Sequence, residues 1–196
     1  VIVICPSLED TVRGIDAGAN TVLIENAPGS AEDSATPDAA AAVRRSLNVD
    51  ARTPLVLYTG TFEAYQGLDL LFEAMALVKR SRPDARLVLA GGKPDQVTAA
   101  RARAQAAGIG DVTVFAGERP ASEIPAYLLA SDVLVSPRSR GTNTPLKIYE
   151  QLASGVPLVA TRIPSHTQVL DDNVCFLVEP NEDAMAAGLE SFRNPT

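Results

Sequence analysis

From residue 55 onward the chain repeats one unit: a short apolar run, then a longer stretch with helical periodicity. The apolar runs fall at 55–58, 86–90, 112–115, 133–135, 157–160 and 175–178, and the helical stretches at 68–79, 95–107, 122–130, 145–154, 165–170 and 183–192. In the first of these helices Leu68, Leu71, Phe72, Met75 and Ala76 recur at helical spacing. Runs that are apolar on both faces are strands covered on both sides, and their alternation with helices predicts an α/β fold with a doubly wound, Rossmann-like parallel sheet. The predicted strands end in Gly60, Gly91–Gly92 and Gly117. Ligands of such sheets lie over the C-terminal strand ends, where glycine lets a backbone approach closely. Taken singly, each glycine also reads as a plain turn residue.

The segment before this pattern is different. VIVIC (1–5) is a strand, 8–17 a short helix and 21–24 a second strand, followed by NAPGSAEDSATPDA (26–39), whose composition reads as a linker, and a helix over 37–47. A chain opening in mid-strand reads as a piece of a longer one. Residues 1–37 are therefore expected to be the tail of a preceding domain plus a linker, and 38–196 one Rossmann-like domain. No run approaches the ~18–20 apolar residues of a membrane span. The net charge of −7 argues against a broad nucleic-acid-binding face but leaves room for a small, focused anion site. Cys5 and Cys175 each sit in an apolar run, with neither metal-knuckle nor redox spacing, and read as reduced core residues. That usage fits a cytoplasmic protein, with peripheral membrane contact of a longer enzyme left open. With neither Asp-x-Asp nor a His/Cys cluster in a suitable loop, no metal is expected.

The most informative stretch is SPRSRGTNTPLKIYE (136–150) followed by QLASGVPLVAT (151–161). A strand empties into a loop holding Arg138 and Arg140. Thr142, Asn143 and Thr144 offer capping side chains, and Pro145 suits the first position of a helix. A helix N-terminus with Arg138, Arg140 and Lys147 nearby predicts an anion site able to take a diphosphate. Helical spacing puts Leu146, Tyr149, Leu152 and Ala153 on an apolar stripe and Lys147, Glu150, Gln151 and Ser154 on a polar one. Glu150 lies about 7–8 Å along the axis from Pro145, at ~1.5 Å per residue. A carboxylate there suits a sugar diol while the helix start holds phosphates. The same Lys147–Glu150 spacing also fits an ordinary solvated pair.

TPLKIYEQLASGVPLVAT (144–161) resembles the signature helix of the group 1 glycosyltransferases, a retaining family with the two-domain GT-B fold. Glu150 matches the second glutamate of its two-Glu motif, and Gly155, Pro157 and Ala160 match its tail. TPLVLYTGTFEAYQGLDLLFEAMALV (53–78), ARLVLAG (85–91) and DVTVFAG (111–117) look like the first strand, glycine loop and following strands of that family's C-terminal half. VIVICPS (1–7) and TVLIENAPG (21–29) resemble the end of its N-terminal half and the crossover. The resemblance implies that Glu150 holds the donor ribose, that the backbone at Thr144, Pro145 and Leu146 frames the diphosphate with Thr142 and Asn143 beside it, and that Gly60 and Thr61 face it. It implies that Glu118 and Arg119 meet the base through backbone.

Three positions depart from the pattern. Thr142 stands where the family has its first glutamate, and Thr61 and Gln66 stand where it often has arginine and lysine. Lys147 and Arg138, with Arg140, become the candidates for charge that stabilises the leaving diphosphate. His166, the single histidine, reads as a structural residue. The implied function is transfer of a sugar from a nucleotide-diphosphate donor, a substrate rather than a cofactor, to an unspecified acceptor. The partner is an N-terminal domain, and this part alone is expected to be inactive. The alternatives are a non-catalytic binding module of the same fold, a GT-B epimerase or phosphorylase, and a dinucleotide-dependent dehydrogenase. The last predicts G-x-G-x-x-G, which GTFEAYQG does not supply.

Overall fold

A computed structural model describes residues 1–27 and 35–192. The main sheet contains β3 (Leu55–Thr59), β4 (Arg86–Ala90), β5 (Thr113–Gly117), β6 (Val133–Ser136), β7 (Leu158–Thr161) and β8 (Phe176–Val178). All are parallel and in spatial order β5-β4-β3-β6-β7-β8. That is the doubly wound order, with its switch between β3 and β6. Leu55–Thr59 is buried along its whole length, which is why it reads as an unbroken apolar run. One face packs Leu71, Phe72, Met75, Leu87, Leu89 and Met185; the other packs Leu57, Val88, Leu134, Ile148 and Leu158.

The helices are α2 (Pro37–Ser46), α3 (Leu68–Ser81), α4 (Pro94–Ala106), α5 (Ile124–Leu129), α6 (Lys147–Ala153), α7 (Pro164–Thr167) and α8 (Glu182–Glu190). Thr36 caps α2 by accepting from the Ala39 N–H at 3.2 Å, and Asn181 caps α8 by accepting from that of Ala184 at 2.9 Å. Two expectations shift. The 122–130 segment begins with a 3-10 turn at Ala121–Glu123, and α5 itself starts only at Ile124, without a side-chain cap. The motif helix starts at Lys147 rather than Pro145, after a 3-10-type entry in which the Ile148 N–H donates to the Pro145 carbonyl.

At the N-terminus β1 (Ile2–Val3) and β2 (Val22–Leu23) form a separate parallel pair joined by α1 (Pro6–Ile15). Val1, Ile2, Val22 and Ile24 are each more than half exposed, whereas Val3 and Cys5 are buried. Cys175 is also buried, and both thiols are free. Much of the linker expected at 26–39 lies outside the described residues.

The lower end of the sheet is tied by one charged node. The Asp132 carboxylate, just before β6, accepts from Arg44 of α2 at 2.7 Å and from the Leu55 N–H at 2.8 Å. Arg44 also donates to the carbonyls of Ala130, Asp50 and Thr53. The node joins α2 to the start of both switch-point strands. Removing either partner leaves a partly buried charge with several bonds unmade. Arg44→Ala is expected to lower unfolding free energy by about 2–3 kcal/mol in urea titration; a loss under about 0.5 kcal/mol would mean the node is incidental.

Candidate functional site

Two loops leave the C-terminal end of the sheet at its switch point, one after β3 and one after β6. The loop after β3, GTFEAYQG (60–67), is placed by main-chain contacts. The Gly60 N–H donates to the Ala90 carbonyl at 3.0 Å, and the Ser139 N–H donates to the Tyr65 carbonyl at 3.0 Å. A Cβ on Gly67, whose φ is +75°, would overlap the Pro137 carbonyl oxygen. Glycine is required there for conformation and for close approach alike. The loop after β3 therefore docks on the loop after β6 backbone to backbone.

Lys147 lies across this junction. Its ammonium donates to the Thr59 carbonyl at 2.9 Å and sits 4.4 Å from the centroid of the Tyr58 ring. Burial pushes the ammonium down to about 7, and the positive charge of Arg138 adds to the shift. Lys147 is thus a cation-π donor and a bridge between α6 and the end of β3, not one half of a solvated pair with Glu150. An ammonium has three donors, and the Thr59 carbonyl takes one. The Tyr58 hydroxyl donates to the Thr61 carbonyl at 2.6 Å, and burial raises its pKa. Thr61 and Gln66, which stand at the places of the family's cations, contact each other weakly: the Gln66 amide donates to Thr61 Oγ1 at 3.4 Å.

Arg138 is buried and shapes its own loop. It donates to the Arg140 carbonyl at 2.8 Å and, at 3.3 Å each, to the backbone carbonyl and Oδ1 of Asn143. Its guanidinium lies 5.0 Å from the centre of the Tyr65 ring, and burial lowers its pKa. A Cβ on Gly141, whose φ is +141°, would come within 2.5 Å of Arg138 Nη2, so the loop can wrap the guanidinium only with glycine there. Arg140 is exposed.

His166 supports the loop from below. Its Nδ1 lies 2.8 Å from the Thr161 carbonyl and its Nε2 3.0 Å from the Ser136 hydroxyl. Thr161 in turn donates to the Arg138 carbonyl at 2.5 Å. Burial pushes His166 down to about 4, so the ring is neutral near pH 7, with Nδ1 as donor and Nε2 as acceptor. The role is structural, as its sequence context suggests.

On α6, Glu150 is exposed one turn beyond Lys147. Gln151 is 1 % exposed and faces the interior, against its placement on a polar stripe, and Leu146 is 62 % exposed, against its placement on an apolar one. Thr142 and Asn143 are exposed, while Thr144 and Pro145 are buried. Neither Thr142, Asn143 nor Thr144 caps α6, whose first residue follows Leu146 without a side-chain cap. Glu118 and Arg119 lie past the end of β5, two strands or about 10 Å from β3 at normal spacing. Arg119 donates to the Ala116 carbonyl, and Glu118 is exposed. Among the described residues no group of His, Cys, Asp and Glu is arranged to hold a metal, and no helix is long and apolar enough to cross a membrane.

Lys147 gives a direct pH test. Its pKa falls from the ordinary 10.5 to about 7 on folding, so between those values the unfolded chain binds more protons and stability rises with pH. Relative to Lys147→Met, the wild-type protein is expected to gain stability steadily from pH 7 to pH 10 in denaturant titrations. A difference that stays constant across that range would show that the ammonium keeps its ordinary pKa.

The comparisons with known proteins agree with this architecture. The sequence model of the family described as Glycosyl transferases group 1 matches residues 40–194. A GDP-mannose-dependent alpha-(1-6)-phosphatidylinositol monomannoside mannosyltransferase of Mycolicibacterium smegmatis is 34% identical over 132 residues, which are 64% of this chain and 34% of that protein. A D-inositol 3-phosphate glycosyltransferase of Corynebacterium aurimucosum is 29% identical over 165 residues, 79% of this chain and 38% of that one. Among solved structures, sucrose-phosphate synthase from Thermosynechococcus elongatus superposes with TM-score 0.81 at 26% identity, covering 97% of this chain and 48% of that one. Alr3699/HepE of Anabaena, in complex with UDP and glucose, gives TM-score 0.81 at 20% identity, covering 97% of this chain and 53% of that one, and shares the fold. The chain thus spans about a third of the length of these two curated relatives and about half of these two solved enzymes. The signature helix, the glycine loop docked on the loop before it and the GT-B-type sheet order have one common source: the chain belongs to the group 1 glycosyltransferases.

Proposed function

We propose that residues 38–196 are the donor-binding domain of a retaining glycosyltransferase that moves a sugar from a nucleotide-diphosphate donor to an acceptor. The observation that carries this reading is the Lys147 ammonium, held over Tyr58 at the junction of β3 and β6 by the signature helix of the family. Its remaining donors suit a diphosphate. Because α6 is only two turns long, its dipole is a lesser contribution, and the Lys147 charge does most of the stabilising as the diphosphate departs. Arg138, bonded to Arg140 and Asn143, acts by fixing the loop that frames the phosphates. The backbone from Thr142 to Leu146 forms that frame, with Gly60 and Thr61 opposite. Glu150 accepts from the ribose hydroxyls, and Glu118 and Arg119 border the base. The donor is read as a nucleotide sugar because one relative is named for GDP-mannose and a structural neighbour holds UDP.

Residues 1–37 are proposed to be the tail of an N-terminal domain and the crossover from it. A two-stranded pair with Val1, Ile2, Val22 and Ile24 exposed cannot be a stable sheet by itself, and strands from that domain would cover it. This domain alone is expected to bind donor with little turnover. The site is proposed to work without a metal, and in the cytoplasm. A non-catalytic module of the same fold is the second reading, favoured by the uncharged Thr61–Gln66 pair where the family often carries two cations.

Calorimetry with UDP, GDP, ADP and their sugar conjugates tests the proposal. One base type is expected to bind, with Glu150→Ala weakening it by about 1 kcal/mol or more. Because phosphate favours the charged form of Lys147, binding above pH 7 should take up a proton, and affinity should fall from pH 7 to pH 9 in wild type but not in Lys147→Met. Absence of binding at millimolar nucleotide, even with the N-terminal half restored, would favour the non-catalytic module.

A further inference from the structure

Gln168 follows α7 directly, two residues after His166, and its amide makes two hydrogen bonds to chain segments far apart in sequence. Its Oε1 accepts from the Ser7 N–H, in the first turn of α1, at 2.9 Å. Its Nε2 donates to the Thr142 carbonyl, in the loop after β6, at 2.7 Å. An amide carries one acceptor and two donors in a fixed plane. Turned over, it would set an N–H against an N–H and a carbonyl against a carbonyl. A single orientation therefore satisfies both partners, and neither glutamate nor lysine supplies both chemistries.

The amide is also fixed in place. The turn that carries it is anchored by His166 to Ser136 at the end of β6 and to Thr161 at the end of β7. Thr161 holds the Arg138 carbonyl of the same loop. Gln168 thus measures the position of α1 against the loop rather than against a mobile surface. Burial raises the pKa of Tyr149, on α6, and Glu25 and Cys5 add to the shift, so the N-terminal segment lies near the signature helix too.

We infer that Gln168 is a positioning residue that links the docking of residues 1–27 to the conformation of loop 137–144, so that a nucleotide bound at this loop and the N-terminal segment hold each other in place. This rests on the donor reading above. A nucleotide that orders the loop fixes the Thr142 carbonyl, which fixes the amide and with it the first turn of α1. By linkage, anything that seats α1 firmly tightens nucleotide binding by the same factor. Two segments that belong to opposite halves of the proposed enzyme then communicate through one side chain.

Hydrogen exchange of peptides covering 6–15, with and without UDP or GDP, tests the link alongside calorimetry on the same samples. In the wild type, bound nucleotide is expected to slow exchange there by about fivefold or more. In Gln168→Leu the slowing should vanish while nucleotide still binds. Gln168→Glu keeps the acceptor for Ser7 but sets a second carboxylate oxygen against the Thr142 carbonyl in place of the donor; it guards against misfolding of the first variant and should lose the slowing as well. Equal slowing in wild type and both variants, or bound nucleotide with unchanged exchange in the wild type, would overturn the inference and leave the donor reading standing. Failure of the wild type to bind either nucleotide would overturn the donor reading and the inference together.

Discussion

The reversal of strand order between β3 and β6 governs the rest of this molecule. Chain connections run outward from that point in both directions, so the loops after these two strands meet there without a connection between them, and they dock backbone to backbone at the top of the sheet. The Lys147 ammonium adds a charged bridge to that junction, reaching from α6 to the last carbonyl of β3. Everything near it answers to the cost of keeping that charge out of water. The Tyr58 ring gives it a negative face, Gly60 leaves it room, and Arg138 is turned toward Asn143 and Tyr65. The Lys147 amine nevertheless takes up its proton less readily than an exposed lysine, so a negative charge placed beside it would favour the ammonium.

The sheet was readable from sequence because its central strands are buried on both sides, so apolar runs and strands coincide there; the edge strand β8 is only partly covered. The glycines at the strand ends were readable for a related reason, since a ligand face there favours them, whereas the need for Gly67 and Gly141 shows only once the two loops meet. Helix faces were harder. Gln151 and Leu146 exchange the sides assigned by periodicity, because α6 is only two turns long and the loop before it sets its phase. The N-terminal boundary of α6 moved for the same reason, since Pro145 belongs to a tight entry turn.

Within the site, residue types were legible but their partners were not. A lysine three residues before a glutamate suggests a surface pair, yet Lys147 bonds a residue 88 positions away. Arg138 read as a charge offered to a ligand, and its bonds within its own loop, to Arg140 and Asn143, left no mark in the sequence. Tyr58 carried no functional signal as one more buried strand residue, and Gln168 carried none because amides occur everywhere on surfaces. Contacts that depend on the meeting of distant loops leave no local trace. The departures from the family pattern at Thr61 and Gln66 were visible immediately, although their mutual contact was not.

That contact bears on how such a site can change. The loop 60–67 is held through glycines and main-chain atoms, at Gly60, Tyr65 and Gly67, while the side chains at 61 and 66 share one weak hydrogen bond. Shape and charge are therefore written on different atoms. Cations can be removed from one loop and supplied by a neighbouring helix without redrawing the path of the chain. Related proteins with the same frame need not place their positive charge at the same residues, and sequence searches built on those residues alone will pass over members that keep the geometry and have moved the charge.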